Sequence, residues 1–162
     1  MNDSFPLWNA PGTYLLWLRA DRDDEIEVGR LGTLSVEPGV YGYVGSAFGP
    51  GGVQARVRRH ARDDAEKSLH WHVDDLRVVT TLDAVWVTYD EARRECMWAS
   101  LLRSLPDATV PLDGFGASDC DCSAHLVRFP SIPTGSVFRA GLRTATMNHD
   151  PVHQVWFRDR PY

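Results

Sequence analysis

The sequence predicts an α+β fold, and three observations carry the prediction. The N-terminal third holds short apolar runs rich in aromatic and β-branched residues and broken by Gly and Pro, which is how strands joined by tight turns read. The segment that follows, residues 53–67, lacks both breakers and spaces Val53 and Val57 four apart, which is how a helix reads. The chain has 162 residues, 43% of them hydrophobic, which suits one compact domain with an extension and a real core.

Taken in order, residues 13–18 follow Pro11-Gly12, end in the polar turn 21–24 and form the first strand. Ile26 with Val28, Leu34 with Val36, and residues 40–44 alternate between Gly29, Gly32 and Pro38-Gly39, so an antiparallel hairpin or meander is expected. The loop 48–52 leads into the helix at 53–67. A short helix is expected at 69–77, a strand at 84–89, and a helix at 91–105 that stops before Pro106. Residues 114–118 are a glycine-rich loop, and 120–129 end in a strand. Residues 131–135 look like a linker into a basic tail, whose Arg139, Arg143, Arg158 and Arg160 face only Asp150 and Asp159. The expected division is therefore a domain over residues 1–130 and a basic C-terminal extension over 131–162. Trp156-Phe157 either makes an interface or folds back on the domain.

Composition excludes several classes. No apolar run is long enough to span a bilayer, and the acidic start lacks the basic region of a signal peptide, so no membrane partner and a cytoplasmic location are expected. Three cysteines, two of them at Cys120 and Cys122, do not make a disulfide framework. The net charge of −5 argues against a protein that coats nucleic acid nonspecifically, so local charge matters more than the total. Lys67 is the only lysine; genome composition is the favoured reading of the arginine preference, over selection for bidentate phosphate contacts.

Helix geometry singles out the first candidate residues. At about 100° per residue, Arg56 and His60 lie beside the Val53/Val57 stripe, while Arg58 and Arg62 point away and, with Arg59, read as a solvated face. Charge at the margin of a buried face calls for a partner, and a guanidinium fork there suits phosphate. On the helix over 91–105, Glu95 falls among Ala92, Trp98, Ala99 and Leu102. Its carboxylate would make a buried salt bridge, a cap or a ligand for a hard divalent cation. Tyr14 shares a strand face with Leu16 and Leu18, and Tyr43 shares one with Tyr41; taken singly, tyrosines so placed read as core.

In order and residue type, Gly12-Thr13-Tyr14, Tyr43-Val44-Gly45-Ser46, Arg56 with His60, and Glu95 on a later helix resemble the GIY-YIG nuclease superfamily. Longer strings are similar to its branch labelled as the domain of unknown function DUF123. These are residues 41–47 running into Gly49-Pro50-Gly51-Gly52, His70-Trp71-His72-Val73-Asp74, and Gly114-Phe115-Gly116 through Ser118-Asp119-Cys120, Cys122 and His125. The resemblance covers residues 12–129. It implies an antiparallel sheet of about three strands flanked by helices, here with an extra hairpin within residues 21–38 that lengthens the separation of Tyr14 from Tyr43.

The resemblance also implies a mechanism: metal-dependent hydrolysis of a phosphodiester. Tyr14 would be the general base, His60 would accept or relay its proton, and Tyr43 would orient water or phosphate. Arg56 would neutralise phosphoryl charge, and Glu95 would hold one Mg²⁺ or Mn²⁺. Gly45, Ser46, Arg59, His70, His72, Ser118, Asp119 and His125 are expected to contact nucleic acid, with DNA as the partner.

Cys120, Cys122 and His125, with His72 or His70, offer the N and S donors of a structural Zn²⁺ site. The other readings are a cleft rim and buried thiols. His70 and Asp74, four apart, suit a local hydrogen bond. The leading expectation is a DNA endonuclease, selective for structure and linked to repair. The alternatives are a non-cleaving nucleic-acid-binding module gripping through Arg56, Arg59 and the tail, and a metal-stabilised interaction domain.

Overall fold

The computed structural model describes residues 6–62, 71–117 and 120–157, so His70, Ser118 and Asp119 lie outside the described residues. Its centre is β1 (Gly12–Ala20), which pairs antiparallel with β4 (Gly39–Ala47) on one side and β5 (Thr81–Thr88) on the other. Short strands β6 (Leu126–Phe129) and β7 (His153–Trp156) complete a five-stranded sheet in the order β6-β4-β1-β5-β7. The α+β expectation holds. The three-stranded core of the expected sheet is β4-β1-β5, and an additional strand lies on each side of it.

Alternation along β1 divides the core in two. Tyr14, Leu16 and Leu18 point to one face, where Val53 and Val57 of α1 (Gly52–Ala61) and Val73 and Leu76 of α2 (His72–Arg77) cover them. Leu15 and Trp17 point to the other, beneath Trp98, Ala99 and Leu102 of α3 (Glu95–Ser104) and Phe138 and Leu142 of α4 (Gly135–Ala145). A strand covered on both faces has no polar alternation, which is why Tyr14 to Leu18 reads as one continuous apolar run.

The extra hairpin is present as β2 (Asp24–Val28) and β3 (Gly32–Val36), a separate two-stranded sheet. Val28, Leu34 and Val36 bury against the α1/α2 side of the core. The N-terminal segment serves α1: the carbonyls of Ala10 and Trp8 accept from the N–H groups of Val53 and Gln54, at 2.9 and 3.1 Å, donors that a helix start leaves without internal partners. Arg58 and Arg59 in the last turn match the negative end of the helix dipole.

Three expectations need correction. The helix expected over 53–67 ends at Ala61 within the described residues. The helix expected from residue 91 starts at Glu95, because Asp90 accepts from the N–H of Ala92 at 2.9 Å and from Nε of Arg94 at 3.1 Å and holds that stretch in a turn. The segment expected as a linker and tail packs on the sheet: α4 supplies core residues, and β7 pairs with β5, with Trp156 opposite Ala84. Trp156 thus folds back on the body rather than forming a free surface. No helix among the described residues is long and apolar enough to cross a membrane.

Candidate active site

Strands β1 and β4 deliver the two tyrosines. Tyr14 is directly opposite Gly45, and Tyr43 opposite Leu16, so both side chains rise on the face covered by α1. Tyr14 is 1% exposed and Tyr43 8%. Gly45 is required by this packing, since a Cβ there would lie 2.5 Å from Oη and Cζ of Tyr14. Gly116, with φ +71°, is required likewise: a Cβ there would lie 2.8 Å from the Tyr43 ring.

Helix α1 places its polar pair as the wheel predicts. His60 is fully buried, and its Nε2 lies 2.8 Å from Tyr14 Oη. Its ring meets Tyr43 edge-on at 6.1 Å and tilts against Trp71 at 5.2 Å. Arg56 is half-buried, with its guanidinium 4.5 Å from the Trp71 ring centroid. Arg59, expected to contact nucleic acid, forms a two-pronged ion pair with Asp74, at 3.0 and 2.9 Å, and covers Trp71 at 4.2 Å. Asp74 also accepts from the Trp71 N–H at 2.8 Å, closing the start of α2.

Glu95 comes from the opposite layer. As the first residue of α3 it is half-buried at the cleft, not set within the packed stripe, and Ala92, expected beside it, is exposed. Thr13 anchors this turn, its Oγ1 accepting from the Arg94 N–H at 3.2 Å. A threonine before Tyr14 therefore has a structural task that its place on a strand does not reveal.

Together these residues line a cleft of about 580 Å³, with Tyr14, Tyr43, Gly45, Ser46, Arg56, His72, Glu95 and His125 in its walls. Trp71 and Arg93 also line it, and the sequence reading assigned neither. Arg93 extends over Phe48 at 4.6 Å. Among the described residues, Arg56 and Arg93 against the carboxylate of Glu95 give the walls a positive excess, suited to an anionic ligand despite the acidic chain.

Burial sets the state of the tyrosines. It pushes the Tyr14 phenol well above its ordinary value, with the Tyr43 and Glu95 oxygens adding to the shift and Arg56 and Arg59 opposing it. Burial, then Glu95, raises Tyr43 as well. Both phenols are protonated near neutral pH. A protonated Tyr14 Oη can donate to an unprotonated His60 Nε2 across this 2.8 Å contact.

Cys120, Cys122 and His125 do come together, but the fourth member of their group is Cys96 on α3, not His72. His72 faces the cleft, where its Nδ1 accepts from the Gly116 N–H at 2.9 Å and its ring meets Phe115 edge-on. The four grouped side chains could hold a metal ion. Burial holds the His125 imidazole below its ordinary value, so it is neutral near pH 7. Burial and the two neighbouring thiols push the Cys96 thiol up to about 12.

No curated protein and no solved structure matches the chain. The family model described as domain of unknown function DUF123 matches residues 13–144, which contain the cleft residues and the cysteine group, and the chain belongs to that family.

Proposed function

We propose that the protein is a metal-dependent endonuclease of the GIY-YIG type, hydrolysing phosphodiester bonds in DNA. The observation that carries this reading is the buried 2.8 Å hydrogen bond between Tyr14 Oη and His60 Nε2, beside a cleft walled by Arg56 and Glu95. A buried phenol on an imidazole, beside a guanidinium and a carboxylate, provides proton transfer, phosphate binding and cation binding within one small volume.

The raised pKa of Tyr14 refines the expected base. A free phenolate is disfavoured in this site. Tyr14 instead takes the proton of the attacking water as it passes its own to His60 Nε2, so the charge ends on the imidazole and not on a buried phenolate. Tyr43 orients the water or a phosphoryl oxygen. Arg56 and Arg93 offset the negative charge that grows on the phosphoryl group.

The donor set fits a hard divalent cation: Glu95 is the only carboxylate among the described residues of the cleft, and Mg²⁺ or Mn²⁺ is commonly held by one or two carboxylates while keeping several waters. Such a cation, when bound, stabilises charge on the departing oxygen. Arginines that meet phosphate carry no sequence information themselves, which supports recognition of nucleic-acid shape, and a structure-selective role in repair is part of the proposal.

The test is cleavage of branched, single-stranded and duplex DNA with Mg²⁺ and with Mn²⁺. Wild type is expected to nick at least one substrate, and Glu95→Gln and Tyr14→Phe to lose at least about 100-fold while staying folded. Wild-type rates in both variants would remove the assignment. Salt-sensitive binding without cleavage in either metal would replace it with the non-cleaving module.

A further inference from the structure

Three thiols and an imidazole that the proposed chemistry does not use converge beside the cleft. Cys96 stands in the first turn of α3, Cys120 and Cys122 in the loop before β6, and His125 immediately ahead of β6. One ligand atom from each lies within 4.8 Å of every other. His125 Nε2 is 3.2 Å from Cys120 Sγ and 3.9 Å from Cys96 Sγ. In a tetrahedral zinc site, Zn–S of about 2.3 Å and Zn–N of about 2.0 Å set S···N edges of roughly 3.5 Å and S···S edges of roughly 3.8 Å. The two sulfur–nitrogen distances fall on either side of the ideal S···N edge, the outer limit of 4.8 Å is within reach of the S···S edge, and all three cysteines are free thiols.

The chemistry of the donors separates this group from the cation expected at Glu95. Sulfur and imidazole select zinc and reject the hard cations that favour carboxylate oxygen. Four protein ligands complete the tetrahedron and leave no open position for a substrate, which marks a structural centre. The attachment points are informative too. Cys96 is the residue after Glu95. The His125 carbonyl accepts from the Val44 N–H at 2.9 Å, next to Tyr43 on β4.

We propose that Cys96, Cys120, Cys122 and His125 bind one Zn²⁺ in a closed structural centre that ties the first turn of α3, and Glu95 with it, to the strand carrying Tyr43. Binding displaces thiol protons to solvent, and zinc stays divalent. The loop over residues 106–125 has no helix or strand among its described residues, so a crosslink at its end fixes what regular structure does not. Zinc binding stands independently of the nuclease reading; only the positioning of Glu95 rests on it.

The experiment measures metal content first. The chain purified under reducing conditions without chelator is expected to carry about one zinc, and after exchange with Co²⁺ to give the intense visible bands of tetrahedral thiolate coordination. Cys96→Ser and Cys122→Ser should lose the metal and the bands, while Cys96→His should keep a bound ion. Wild type without zinc and without cobalt bands, or Cys96→Ser with full zinc, overturns the centre even if some variants fold poorly. Stripping zinc from wild type should raise the Mn²⁺ needed for half-maximal cleavage at least about tenfold, reversed by zinc. An unchanged Mn²⁺ requirement overturns the positioning role. Glu95→Gln should keep its full zinc while losing cleavage, so the two readings fail separately.

Discussion

Replacing Gly45 with alanine tests the packing on which the site depends. The new Cβ would lie 2.5 Å from Oη and Cζ of Tyr14, and ordinary contact begins at 3.4 Å, so the ring must retreat by about 0.9 Å. Tyr14 is 1% exposed within a packed core, and little slack is available. Overpacking of this kind costs about 1–3 kcal/mol. The same retreat displaces Oη from its 2.8 Å contact with His60, and a misplacement near 1 Å at a reacting group costs on the order of 100-fold in rate. Urea denaturation of Gly45→Ala, Tyr14→Ala and the double variant measures the first effect without reference to any activity. Most of the cost of Gly45→Ala should vanish in the Tyr14→Ala background, a coupling of at least about 1 kcal/mol. An equal cost in both backgrounds would refute the argument that the Tyr14 ring is what excludes a side chain at residue 45. Cleavage assays on Gly45→Ala then measure the second effect.

Asp74→Ala removes a two-pronged partner of Arg59 and the acceptor for the Trp71 N–H, and should destabilise the fold by about 2–4 kcal/mol in denaturant titrations at pH 7. Burial tends to raise the Asp74 pKa, but the bonds from Arg59 and Trp71 outweigh it and lower the pKa below the ordinary 3.8. The stabilisation is thus complete above that value and is lost as pH falls through the lowered one, so the gap between wild type and variant should persist at pH 5 and close only in stronger acid. Phe138→Ala empties a fully buried position against Trp86 and Trp98 and should cost about 3–5 kcal/mol, whereas a detached tail would tolerate it without change. Arg93→Ala should weaken DNA binding across sequences and reduce the slope of log affinity against log salt by about one, read by fluorescence anisotropy.

The parts of the fold readable from sequence are those where one local rule decides. The Val53/Val57 stripe located α1 and put Arg56 and His60 on its inner margin, and turn residues located the extra hairpin. Legibility failed where a distant partner decides. The pattern over 91–105 is helical throughout, yet the bonds of Asp90 delay the helix to Glu95. Helix α4 went unread because Gly135 and Gly141 mask its Phe138/Leu142 pair, and the close approach of Leu101 to Gly141 appears only in three dimensions. Cys96 stands far along the chain from Cys120, so spacing cannot group them. Its place beside Glu95 at the start of a helix was the available signal. Arg93 and Trp71 were missed because a polar turn and a helix start look unremarkable until the cleft forms between them.

The two sides of the sheet contribute unequally to the site. Helix α1 on one face carries His60 and Arg56, while α3, rooted in the other core, carries Glu95. A chain with only one of its two cores assembled therefore holds half the chemistry. Under the nuclease reading, a nascent or damaged molecule is harmless to DNA until both layers have closed on β1, and cutting becomes a report that folding is complete.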